Sequence, residues 1–396
     1  MKISFSCFNK ALLLLPIVIL SSLAYSQQDV KTKPKKEKKY MFVDSTERSL
    51  DISSFLDHPY GFVPIPIIVT EPAIGYGGGL ALLFIQQKKK KDKGRSEMPM
   101  ITGVAGGYTE NKTWVAGLFH FQTWNHDKIR YMGILGKTNV NIKYYGTEDG
   151  LLSRLWGRPV KYNMNAWLIK QRLLFRVAES DFFMGFQYLF YRTENSLDTL
   201  PDRPLINKLL KKMSNTSVVS TVTMINSYDT RNNIFTPTRG MYAGWNISYN
   251  PVFLGGSNSF GRTNLYFIGY FPFASWLNTA WRFDYKYAFG DVPFYTKPSL
   301  ELRGVPAMKY QGLNTLFIAT EWTFNVYNRW YVDGFVGTGR AFDAFEDFSS
   351  TKFKVINYGG GFRYNIAKKY GILTGLDFAW TNNDDFAFYI VFGSAW

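Results

Sequence analysis

Along much of the chain, apolar and polar residues alternate with a period of two. From Leu277 to Phe289 the odd positions read Leu277, Thr279, Trp281, Phe283, Tyr285, Tyr287 and Phe289, while the even ones include Asn278, Arg282, Asp284 and Lys286. From Thr320 to Val326 the apolar set is Trp322, Phe324 and Val326, set against Glu321, Thr323 and Asn325, and Phe386, Phe388, Ile390, Phe392 and Trp396 repeat the register at the C-terminus. Period two is the mark of a strand with chemically different faces. A soluble sandwich shows the same alternation, so the number and length of the strands decide between it and a barrel. These runs exceed the 5–6 residues usual in globular strands and reach the roughly 9–11 that cross a bilayer at a tilt.

Fifteen such segments are predicted near 75–86, 98–109, 113–124, 128–145, 161–177, 181–193, 215–228, 239–251, 259–271, 276–289, 314–327, 329–339, 353–366, 370–381 and 385–396. Bacterial single-chain barrels have even strand numbers. The apolar segment Phe62 to Thr70 supplies a sixteenth, and Pro64 and Pro66 within it suit only an edge or seam. The expected fold class is all-β: a transmembrane antiparallel barrel of about 16 strands over residues 61–396. Long connections at 146–160, 194–214, 252–258, 290–313 and 340–352 fall at one end and short ones such as 178–180 and 367–369 at the other, as outside and periplasmic ends do. The Lys-rich turn Gln86 to Lys93 then lies at the periplasmic end and reads as a solvated loop.

The N-terminus carries an address. Lys2 and Lys10 precede an apolar stretch from Ala11 to Leu20, and Ala24-Tyr25-Ser26 offers small residues for a signal peptidase, so residues 1–26 read as a cleaved signal peptide. Residues 27–60, with the basic stretch KTKPKKEKK at 31–39, read as a short periplasmic linker. Export together with the barrel places the chain in the outer membrane of a Gram-negative bacterium. No later run of about 18 apolar residues provides a spanning helix.

Composition narrows the chemistry. The 396 residues include 34 Phe, 26 Tyr and 11 Trp, an aromatic load that disfavours disorder, while one Cys (Cys7, inside the signal) and 3 His exclude a disulfide scaffold and leave no expected metal site or cofactor. The net charge of +16 could suggest nucleic acid, but an exported barrel does not meet it, and anionic lipid phosphates are the expected counterpart. No G-x-S-x-G elbow is present, and His58, His120 and His126 have no Ser or Asp at a diagnostic spacing, so no catalytic residue is assigned. Gly75 to Gly79 opens a strand rather than a helix and reads as a close approach at the seam.

Three constellations stand out. The first is the turn Tyr228-Asp229-Thr230-Arg231-Asn232-Asn233, continued by Phe235-Thr236-Pro237-Thr238-Arg239-Gly240, in which Asp and Asn can bond nearby amides and Gly opens the next strand. The second is Arg303-Gly304 within the long connection 290–313, where Gly permits a tight bend and Arg could fold inward to meet an acid. The third is Glu321, Asp333 and Gly337, which share a parity on two consecutive strands.

Together these resemble the BamA/TamA-type outer-membrane assembly barrels, the bacterial surface antigen domain, over most of residues 61–396. The resemblance rests on the D-x-R-N-x-x-F-x-P-x-x-G turn (Asp229, Arg231, Asn232, Phe235, Pro237, Gly240), on Arg303-Gly304 followed by Glu321, and on the aromatic C-terminus. It implies that Arg303 lies in the lumen against acids of the wall, Glu321 first among them. The acid usual in the family's F-x-D-x-G strand is missing from Phe335-Val336-Gly337-Thr338-Gly339, and Asp333 is the candidate replacement. Phe388, Ile390, Phe392 and Trp396 resemble the signal by which assembly machinery recognises barrels. The family's client-binding periplasmic domains have no room in residues 27–60. Two functions stay open: an assembly or translocation barrel, working with a separate periplasmic partner, or a passive channel or structural barrel. Expected partners are outer-membrane lipids and, during biogenesis, the assembly machinery; the barrel is expected to be a monomer.

Overall fold

The computed structural model describes residues 42–44, 47–57, 62–86, 100–145, 160–197 and 215–394. The signal peptide, most of the linker, the Lys-rich turn, most of connections 146–160 and 194–214, His58 and Trp396 lie outside them. The unit that begins at Asp51 contains the whole sheet.

The sheet has sixteen strands: β1 (Val63–Val69), β2 (Gly77–Gln86), β3 (Met100–Thr109), β4 (Trp114–Trp124), β5 (Ile129–Tyr144), β6 (Val160–Arg176), β7 (Phe182–Leu197) and β8 (Thr216–Asp229) form its first half. β9 (Gly240–Asn250), β10 (Phe260–Ala274), β11 (Leu277–Gly290), β12 (Asn314–Tyr327), β13 (Trp330–Phe342), β14 (Lys354–Ala367), β15 (Ile372–Thr381) and β16 (Phe386–Phe392) form the second. Every strand pairs antiparallel with its sequence neighbours, in order from β1 to β16. Among the described residues no helix is long and apolar enough to cross a membrane. The expected strands coincide with these to within a few residues. The C-terminal one is shorter than expected: β16 stops at Phe392 because Gly393 turns the backbone to φ +86°.

Cross-strand partners share a face, so the register carries one parity around the sheet. Glu321 faces Ala280, Ala280 faces Tyr270, and the same parity continues to Tyr242, Asp229, Leu174, Arg130, Phe121, Ile101 and Ile85. This is the inner face. The opposite parity presents Trp281, Trp322, Val336, Ile356, Trp380 and Ile390, all exposed, as a hydrocarbon-facing wall requires. The inner face is not uniformly polar. Strands β11 to β15 present Arg282, Asp284, Lys286, Glu321, Asp333, Arg363 and Asp377, whereas β1 to β5 present Ile65, Ile67, Leu83, Ile85, Phe119, Phe121, Met132 and Ile134.

Among the described residues β1 and β16 form no ladder with each other, although Tyr76, just before β2, stacks on Phe388 of β16 at 5.8 Å between ring centres. Pro64 and Pro66 stand two apart, so both ring nitrogens face the same edge of β1. Since β1 pairs continuously with β2, that edge is the free one, and it lacks the donors a closing ladder needs.

At the end carrying the short turns, the segment before β1 docks beneath β12–β15. The Ile52 amide donates to the Ile366 carbonyl at 2.8 Å, and Arg329 Nη1 donates to Asp51 Oδ2 at 2.7 Å. Ser53–Asp57 forms a short helix, α1. Burial alone would raise the Asp51 carboxyl, but hydrogen bonds from Ser53, Arg329 and Lys368 bring it below its ordinary range.

Candidate functional site

The connection from β11 to β12 is the longest described, and it folds into the lumen because its side chains find partners there. Leu300, Leu302, Val305 and Tyr310 are buried with Phe317, Ala319, Ala341 and Val355 of the wall. Farther along, Ala307 and Met308 pack with Ala73, Ile142, Tyr144 and Tyr162, from the β1–β2 connection and strands β5 and β6. The loop therefore reaches across the barrel rather than lying along one side.

Arg303 sits at its innermost bend. Gly304 adopts φ +89° and its missing Cβ would lie 3.2 Å from the Ala379 backbone, so a side chain there would meet both strain and the wall. The turn aims Arg303 at two carboxylates: Nη1 lies 2.7 Å from Glu321 Oε2 and 2.8 Å from Asp377 Oδ2. The guanidinium also lies over the Phe335 ring, 3.5 Å from its centre. The Gly304 amide donates to the Tyr389 hydroxyl at 2.9 Å, and Asn357 Nδ2 donates to the Arg303 carbonyl at 3.0 Å.

A second arginine completes the arrangement. Arg363 on β14, 2% exposed at its side chain, lies 3.1 Å from Glu321 Oε1, 3.3 Å from Asp333 Oδ2 and 3.1 Å from Asp377 Oδ2. Two guanidiniums thus face three carboxylates drawn from β12, β13 and β15, which fixes loop and wall together by charge-assisted bonds. Glu321, Asp333 and Asp377 could by spacing hold a cation, but the two arginines already bond both oxygens of Glu321 and Asp377 and one of Asp333, whose Oδ1 is buried without a partner.

Glycine makes the room. Gly359, inward on β14, has its Cβ position 2.4 Å from the Phe335 ring, so the ring that supports Arg303 occupies the space a side chain there would fill. A methyl at Gly361 would lie 2.6 Å from Asp377 Oδ1.

Other contacts tie the loop down. Lys309 pairs with Asp385, and the Tyr310 hydroxyl donates to Asp385 Oδ2 at 3.0 Å. Burial, and then the Asp385 carboxylate, push the Tyr310 phenol up, which keeps it a donor. The Ala307 amide donates to Glu71 Oε1 at 3.0 Å.

The turn from β8 to β9 holds the opposite end. Asn232 Oδ1 accepts from the amides of Thr238 and Arg239 at 3.0 and 3.1 Å, and Asn233 Oδ1 from Phe235 at 2.7 Å. Asp229 pairs with Arg231 at 2.9 Å and with Arg130 of β5 at 3.2 Å. Gly240 takes φ +100°, and a Cβ there would stand 2.2 Å from the Thr230 carbonyl oxygen. Pro237 lines a cavity of about 240 Å³ between the turn and the wall. The turn reaches the far side of the sheet: Asn233 Nδ2 donates to the Tyr370 carbonyl at 2.7 Å, and the Ser394 amide to the Phe235 carbonyl at 2.5 Å. Phe388, Ile390 and Phe392 share the outer face of β16.

Of the residues singled out by sequence, the structure brings Arg303 to Glu321. It sets Asp333 against Arg363, and the second acid on Arg303 is Asp377. Arg363 and Asp377 went unrecognised. Their parity was the available signal, since each is a charge on the inner face of a strand whose outer face is aromatic. His120 faces outward, its Nδ1 2.7 Å from Thr102 Oγ1 and its Nε2 3.2 Å from Gln122 Oε1.

Residues 137–301 match the Omp85 superfamily domain. No curated protein matches the chain. Among solved structures, BamA from Haemophilus ducreyi lacking POTRA domains 1–3 is similar with a TM-score of 0.53 at 14% identity, over 83% of this chain and 69% of that one. CdiB from Escherichia coli is similar with a TM-score of 0.55 at 8% identity, over 83% of this chain and 61% of that one. At such identities the likeness shows the fold: a sixteen-stranded barrel of the kind found in BamA and CdiB.

Proposed function

We propose that the chain is an outer-membrane barrel of the Omp85 superfamily that takes part in assembling or translocating other molecules at that membrane, with a separate periplasmic partner. The observation that carries this reading is the coexistence of an unlaced seam and a lumen crossed by a pinned loop. An open water-filled pore requires neither feature. An unpaired β1 edge costs ladder bonds, and the Arg303–Glu321–Asp377 contact holds the loop inside the lumen, in the way of a solute. The turn-bearing end faces the periplasm in this reading, so that Asp51, Arg329 and the β8–β9 turn lie where a partner would approach. Arg303, Gly304, Glu321 and Asp333, with Arg363 and Asp377, act as the lock that holds the loop.

The test is site-specific photo-crosslinking in cells, with the probe at Ile68 on β1 and at Ile390 on β16, followed by identification of trapped chains. The reading expects discrete protein adducts from the seam positions and none from a probe at Trp281, on the outer face of β11. Equal adducts at all three, or none anywhere alongside a steady conductance, favour the passive channel.

A further inference from the structure

At the turn-bearing end of the lumen, away from the arginine lock, lies a cavity of about 300 Å³ with two unlike walls. That volume is at the lower end of small-ligand pockets, which run from about 300 to 1,000 Å³. One wall is apolar, built from Ile101, Phe121, Met132 and Leu174 on the inner faces of β3 to β6. Ile234 and Phe235 of the β8–β9 turn cover it while remaining 44% and 43% exposed. The other wall carries Arg130, Arg172 and Arg231 with a single acid, Asp229.

The three arginines are not equivalent. Arg130 is bonded to Asp127 and Asp229, and Arg231 is bonded to Asp229 and stacked on Tyr242. Arg172 makes no hydrogen bond or ion pair with any described residue, and its Nε is buried without an acceptor. With Arg176 and Asp181, which complete the neighbouring network, four guanidiniums meet three carboxylates, and Arg172 is the surplus cation. A buried donor without an acceptor is costly, and a guanidinium more so than an amide. Above the cavity the apolar inner wall continues through Phe119, Ile134 and Leu83.

We propose that this cavity binds a single-chain anionic amphiphile, its carboxylate or phosphate on Arg172 and its acyl chain along Phe121, Met132 and Ile101. The inference stands on the cavity alone and does not depend on the assembly reading. An anion supplies the acceptor that Arg172 lacks, and an acyl chain covers an inner wall that water would otherwise wet. Ile234 and Phe235 then close over the chain from the turn.

The test is equilibrium binding of palmitate to the full-length protein in a neutral maltoside detergent, read by native mass spectrometry, with hexadecanol as the uncharged control of equal chain length. The proposal expects a saturable adduct of one palmitate per barrel and binding of hexadecanol weaker by about tenfold or more. Arg172→Gln should weaken palmitate by about the same factor, and Arg172→Lys should retain most of it. Ile234→Asp, on the turn and outside the sheet, should also lose binding while heat-modified gel mobility shows the barrel intact. Equal uptake of palmitate and hexadecanol, no adduct at all, or unchanged binding in both Arg172→Gln and Ile234→Asp would overturn the proposal.

Discussion

Arg303 and Arg363 divide the work of neutralising three buried acids, and their substitution should reveal the division. Removing one partner of a buried ion pair typically costs about 3–5 kcal/mol, because the remaining charge stays buried. Arg303 is the more exposed of the two and belongs to a loop that can move away. Arg363 is fixed in the wall, and its loss would leave Glu321, Asp333 and Asp377 close together. Arg363→Met is therefore expected to destabilise the barrel more than Arg303→Ala, toward the upper end of that range, measured by the denaturant midpoint of the heat-modifiable band. Exchanging charges as Arg303→Glu with Glu321→Arg should give no recovery. The new Glu would face Asp377, and the new Arg would face Arg363. A double variant as stable as the parent would show that the two residues form an isolated pair.

At the scale of elements, the strands were legible because their outer faces are aromatic: Trp281, Phe283 and Tyr285 alternate with Arg282 and Asp284 in a way that no helix tolerates. The inner faces of β1 to β5 were not, since Ile65, Leu83, Phe121 and Ile134 are apolar on the luminal side too, and alternation vanishes when both faces are apolar. Arg303 and Glu321 could be singled out in the chain, but Arg363 is screened by Gly359, Gly360 and Gly361, and Asp377 stands between Leu376 and Phe378 in a run that reads as plain wall. Sequence spacing does not reveal that strands β12, β13, β14 and β15 bring four such charges to one height.

The docking of the segment Asp51–Asp57 is likewise a tertiary fact, made by Asp51 and Arg329 from opposite ends of the chain. Its pH dependence follows from the lowered Asp51 carboxyl. The stabilisation is complete above the unfolded value, about pH 4, and is lost as pH falls through the folded value. Limited proteolysis should cut near Ser53 in acid but not at neutral pH, and Asp51→Asn should be cut at both. Protection that is the same in acid and at neutral pH would contradict this anchoring. Within the long loop, Gly304→Ala forces a Cβ into φ +89° against Ala379. It is expected to cost about 1–2 kcal/mol in the left-handed region, read as earlier proteolysis of the loop in the folded barrel.

The whole molecule is a barrel spanned at two levels and unlaced at one seam. The β11–β12 loop crosses one end, held by Arg303, Lys309 and Tyr310, and the β8–β9 turn crosses the other, held by Asn233 and Phe235. Between β1 and β16 the prolines leave an edge that does not zip. These features agree in describing a barrel whose interior is crossed by segments held through contacts that can be broken one at a time. Planar-bilayer conductance tests this most directly. The parent protein is expected to show no steady open pore, and Arg303→Ala should produce fluctuating openings as the loop leaves the lumen. A steady ohmic conductance from the parent, unchanged by Arg303→Ala, would contradict the account.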